Sequence, residues 1–154
     1  MKNVAVENLN DIINWFLYQQ PMTHKKLQKL LYFSYGIFLV ENNKNCDNIK
    51  ECLFVNKFEA WVHGPVDPAV YQIYKKSGIN LISTESCNEN ILSKKVLKAL
   101  NKTMKIYSEY DADELEEITH NQMPWKKERE GLAPWEPSNN RILDRDIYIA
   151  FSES

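Results

Sequence analysis

The sequence predicts a mainly α, compact single-domain helical fold around a buried central helix, with a small antiparallel β element. Three observations lead there. Within residues 23–40, THKKLQKLLYFSYGIFLV, almost every position from Leu30 onward is apolar or aromatic, and a helix apolar on all sides sits inside a domain. Flanking stretches carry apolar residues at helical spacing, and residues 58–63 alternate with a period of two, the mark of a strand. The length, 154 residues, fits one domain, here read as 1–154.

The first predicted helix runs over 4–19, with Val6, Leu9, Ile13, Phe16 and Leu17 on one face. It stops before Pro21, because the residue before a proline is pushed out of the α region. The central helix starts at Thr23, whose hydroxyl can cap a free backbone N–H, with Met22 and Leu27 placed as a hydrophobic staple. The stretch is too short and too interrupted by Lys and Tyr to span a bilayer. Gly36 in mid-helix costs about 1 kcal/mol against Ala, which points to close approach of a neighbouring helix.

A polar loop covers 42–48. In 58–63, Phe58, Ala60 and Val62 point one way, and Glu59, Trp61 and His63 the other. Residues 53–55 are the expected hairpin partner, turning at Asn56-Lys57, and Gly64-Pro65 is expected to end the strand. Asp67 then caps a helix with Pro68 in its first position, running to Ser77 and stopped by Gly78. Residues 79–82 suit a short edge strand and 83–90 a loop. Helices follow over 93–107, over 111–120 from the capping box Asp111/Glu114, and over 124–130. Residues 131–137 are irregular, and 142–151 close the chain as a helix or turn.

Lys and Arg number 19 against 21 Asp and Glu, a net charge of −2. That balance does not favour a nucleic-acid role. No signal peptide or membrane span is evident. Three cysteines without CxxC spacing read as free thiols, so the expected location is cytoplasmic. No His or Cys pair has zinc spacing, no GxSxG or Gly-rich phosphate loop occurs, and neither a metal nor a cofactor is expected. The acidic residues of 113–117 suit a helix N-terminus. Lys25, Lys26 and Lys29 sit in the first turns of the central helix, where cations are disfavoured; the simplest reading is that they are solvated, the other that they serve an acidic partner.

Two stretches resist a bland reading. One is Trp61-Val62-His63-Gly64-Pro65-Val66; the other is Ile118-Thr119-His120 followed by Pro124-Trp125 and Arg129. The favoured role is structural: imidazole bonded to backbone, guanidinium over indole, helices fixed in one arrangement.

The segments KLQKLLYFSYG, FEAWVHGPVDPAVY and ITHNQMPWKKER resemble, in order and spacing, the Panacea-domain family of SocA-type antitoxins and phage-associated GepA-type proteins. The resemblance runs over 4–151. It rests on Trp61, His63, Gly64, Pro65, Thr119, His120, Pro124, Trp125 and Arg129. It implies a mostly helical fold with a small β element. It also implies an antitoxin that binds a protein toxin encoded by an adjacent gene, and, for SocA-type members, an adaptor that delivers the toxin to a AAA+ protease.

The leading expectation is therefore a toxin-binding module without catalytic residues. Its candidate contact residues are Lys25, Lys26, Lys29, Trp61, Tyr71, Lys75 and Lys76, since aromatic and basic side chains anchor interfaces. Second comes a hydrolase using His63, His120 and Arg129. Third comes a DNA-binding operon regulator, ranked last because no basic stripe or helix-turn-helix is evident.

Overall fold

Helix α2 (His24–Asn42) is the axis of the molecule, and every one of its residues from Leu27 to Leu39 is buried. The computed structural model describes residues 2–153. Thr23 caps α2 by accepting a hydrogen bond from the Lys26 amide at 3.2 Å, and Met22 and Leu27 are both buried at its start. Around it pack α1 (Leu9–Gln19), α3 (Pro68–Tyr74), α4 (Lys94–Tyr107), α5 (Ala112–His120) and α7 (Asp144–Ser152), while α6 (Met123–Glu128) lies against α5 and α7. The fold is mainly α with a small antiparallel β element, as the periodicity predicts.

The core is aromatic. Tyr32 meets Phe58 and Phe151 edge-on at 5.5 and 5.6 Å, and Phe33 stacks on Tyr107 of α4 at 4.0 Å. Gly36 gives α7 its seat: a Cβ there would overlap the Phe151 ring. The caps read from the sequence are present: Asp67 accepts from the Ala69 and Val70 amides, and Asp111 and Glu114 form a reciprocal capping box.

The strands depart from expectation. Helix α1 begins at Leu9, capped by Asn8, because β1 (Asn3–Val4) is instead paired in parallel with β2 (Glu51–Cys52). Residues 53–55 are not strand. Phe54 and Phe58 turn into the core, and Asn56 bonds its side chain to the Ile142 carbonyl. The hairpin is formed by β3 (Glu59–Trp61) with β4 (Gly64–Val66), so Gly64-Pro65 opens the returning strand and does not end the sheet. Pro65 pairs with Ala60, whose N–H bonds outward to Asn140 and whose carbonyl accepts from Arg129. The pair thus sits at a position with no ladder bond to lose, where proline is tolerated. Residues 79–82 supply a single bridge, Ile82 to Met22. Helix α3 ends at Tyr74 and continues as a 3₁₀ turn, Lys75–Ser77.

Candidate functional site

The hairpin turn, the first turns of α2 and the length of α5 converge on one carboxylate, Glu116. It receives Lys25 Nζ at 2.7 Å and His63 Nδ1 at 3.0 Å, with His120 Nε2 4.0 Å away. Burial works to raise the Glu116 carboxyl, but the hydrogen bond and charge of Lys25, with the two imidazoles, hold it below the usual range. Lys25 also reaches Asp113 at 2.8 Å. Burial opposes its charge, yet the two acids together push the ammonium up. The sequence places Glu116 only among the acids that suit a helix N-terminus; its i,i+4 spacing to His120 is the signal that could have marked it.

The Trp/His segments interlock. Trp125 Nε1 donates to the Trp61 carbonyl at 2.7 Å, and its ring stacks on His120 at 3.9 Å. The Arg129 guanidinium lies 5.1 Å from the Trp125 ring. It donates to the carbonyls of Ala60 at 3.0 Å and Glu136 at 2.6 Å. His120 is half-buried, and its pKa is lowered chiefly by burial, against the opposing charge of Glu116. Pro124 and Thr119 are buried; the Thr119 hydroxyl donates to the Glu116 carbonyl. His63 behaves differently from the expected strand residue: it lies in the turn, with 71% of its side chain exposed. Among the described residues neither imidazole is hydrogen-bonded to a hydroxyl or thiol. The three cysteines lie outside this region, and no cluster of three metal-type ligands occurs there.

Lys29 overturns the solvated reading of the α2 lysines. It is 1% exposed, and its Nζ donates to the Pro65 carbonyl at 3.3 Å. Burial, reinforced by repulsion from Lys25 and only partly opposed by Glu116, pushes its pKa down to about 7. As a surface contact residue it is therefore a correction: its amine lies beneath the surface.

Above it runs a groove of about 1700 Å³ that gathers Lys25, Lys26, Lys29, Trp61, Tyr71 and Lys75. Lys76 is exposed but not part of the lining. The Trp61 and Tyr71 rings meet edge-on at 4.9 Å, and His24 meets Tyr71 at 5.8 Å. Ile79, Leu81 and Tyr110 complete an apolar wall, which sequence patterning did not disclose. The arrangement offers aromatic faces and ammonium donors in a concavity, the chemistry of recognition sites.

The family model of the SocA-like antitoxin Panacea domain matches residues 27–126, well over half of the chain. The chain belongs to that Panacea-domain family. The matched span begins in the buried part of α2 and takes in the β3–β4 hairpin, α5 and Trp125. Antitoxin SocA of Caulobacter vibrioides (strain NA1000 / CB15N) is 38% identical over 73 residues, a stretch covering 47% of this Panacea chain and 35% of that protein. No solved structure matches the chain. Among the described residues, no helix is long and apolar enough to cross a membrane.

Proposed function

We propose that this Panacea-domain protein is an antitoxin-type binding module that neutralises a protein toxin, encoded by an adjacent gene, by direct contact at the α2–hairpin groove. The observation that carries the reading is the family match to SocA-like antitoxins over residues 27–126. The groove supports it physically. Trp61 and Tyr71 are half-buried rings held in fixed relation, and such pre-ordered aromatics give contact area at low entropic cost. The Trp125, His120 and Arg129 interlock holds the hairpin that presents Trp61, which supports reading those residues as scaffold.

Co-expression with the adjacent gene's product tests the proposal. A co-purifying complex and relief of growth arrest are expected. Tyr71→Ala is expected to weaken the complex by about 2 kcal/mol or more, some thirtyfold, as for a central aromatic anchor. A toxin that arrests growth regardless, with no complex, removes the reading. Toxin abundance in cells lacking a AAA+ protease then separates delivery for degradation from occlusion alone: a rise there, with the complex intact, is the adaptor signature.

A further inference from the structure

The groove has a mismatch between its donors and its acceptors. Among the described residues, Lys26 Nζ bonds only to the Ser108 carbonyl, at 2.6 Å, and Lys29 Nζ only to that of Pro65. Among the described residues, Lys26, Lys29 and Lys75 have no carboxylate within ion-pair distance. Most acids nearby are already engaged, and Glu109, which also lines the groove, is not within ion-pair distance of these lysines. Asp113 and Glu116 hold Lys25, Asp111 caps α5, and Glu59 accepts from the Trp61 indole at 2.8 Å. An ammonium at a partly desolvated site with only carbonyl partners is under-compensated, and a carboxylate is its strongest complement. Burial lowers the pKa of both Lys26 and Lys29, at Lys26 against the more distant charges of Asp111 and Glu114 and at Lys29 against that of Glu116, so these acids compensate the burial only in part.

Beside these donors lies uncovered apolar surface. Ile79 is 92% and Leu81 68% exposed, yet the segment carrying them is tied to the body by the Ile82–Met22 bridge, with N···O distances of 2.7 and 3.0 Å. Large aliphatic side chains held to solvent on an anchored segment, next to unpaired cations, define a two-part surface.

We propose that the groove receives a protein segment whose acidic side chains are taken up by Lys26 and Lys75, over the buried amine of Lys29, and whose apolar side chains lie on Ile79, Leu81 and Tyr110. This rests on the reading that the groove is the partner-binding face, and it specifies the partner's chemistry. A nucleic acid fits less well: Glu109, Asp111 and Asp113 line the same groove and repel a continuous run of phosphates, whereas discrete carboxylates can sit clear of them.

The test is selection of a displayed random dodecapeptide library on the full chain. Binding is located by amide and indole NMR shifts, and a random DNA duplex is titrated in parallel. Expected are binders that perturb the Trp61 indole and the start of α2 and that combine Asp or Glu with apolar residues. Replacing those acids by Asn or Gln is expected to weaken them about tenfold or more, a single charge-assisted bond's worth. The single variant Lys75→Gln, at an exposed site, is expected to weaken them at an unchanged unfolding midpoint, and Lys26→Gln/Lys75→Gln to weaken them further with the α2 core resonances unmoved. Groove binders with no acid requirement overturn the inference while leaving the groove as a binding face. The duplex shifting the groove resonances likewise overturns it. Binders that map elsewhere, or none, overturn both.

Discussion

The Lys29 side chain runs directly beneath Gly64: a Cβ at that glycine would lie 2.7 Å from Lys29 Cε and 2.9 Å from Thr119 Oγ1. Gly64 also has φ of +108°, a region L side chains rarely adopt. Hairpin, α2 and α5 therefore meet at a point where only hydrogen fits. Gly64→Ala is expected to destabilise by roughly 2–4 kcal/mol, backbone strain plus overpacking. Urea unfolding checks it, and a loss under 1 kcal/mol would mean the hairpin shifts freely off α2.

Lys29 itself gives a pH signature. Its folded pKa is about 7 against an ordinary value of 10.5, so between those values the unfolded chain binds the proton that the folded chain has released. The cost of the buried charge is fully present below pH 7 and relieved progressively as pH rises toward 10.5. Relative to Lys29→Met, the wild type is expected to gain stability at about 1.4 kcal/mol per pH unit across that window. Paired urea titrations from pH 6 to 10 read the difference; parallel curves would mean the amine keeps its proton when buried.

The contrast between Gly36 and Lys29 shows what was legible in the chain. A glycine amid LLYFSYGIFLV has few explanations, and the Phe151 ring against it is the expected close neighbour. Caps at Thr23, Asp67 and Asp111 act over three residues, so local sequence determines them. Lys29 shares its sequence context with Lys25 and Lys26, and nothing local says which of three lysines the hairpin will cover. The β1–β2 pair is likewise set by tertiary packing: two short segments far apart in sequence, each too brief for a periodic signal. The site follows the same division. The Trp61 and Tyr71 types were readable, but their meeting with Ile79 and Leu81 in one groove depends on the single Ile82–Met22 bridge.

Glu116 ties α5 to α2 and to the hairpin turn through Lys25 and His63. Its folded pKa lies below the ordinary 4.5, so it contributes stability that is present above that value and lost as pH falls through the folded pKa. Glu116→Gln is expected to be less stable than wild type at pH 7, with the gap closing as the pH is lowered below 4.5. Thermal melts at pH 3, 4, 5 and 7 distinguish this from a plain packing defect, whose cost would persist at pH 3.

Arg129 offers the sharpest test of the scaffold assigned to the Trp/His segments. One Nη donates to the Ala60 carbonyl of β3, while the other reaches the carbonyls of Ala133 at 3.3 Å and Glu136 at 2.6 Å in the following loop. A planar fork spans these acceptors while its face covers Trp125; a lysine ammonium is a point donor and cannot reach both sides at once. Arg129→Lys keeps the charge yet leaves at least one buried carbonyl unpaired, at about 1–3 kcal/mol. Because Ala60 also bonds through its N–H to Asn140, the loss is expected to loosen residues 131–140 together with β3. Hydrogen exchange should therefore accelerate at Ala60 and in that loop while the α2 core stays protected. If Arg129→Lys matches the wild type in both melting and exchange, charge alone holds this corner, and the fork geometry has no structural role.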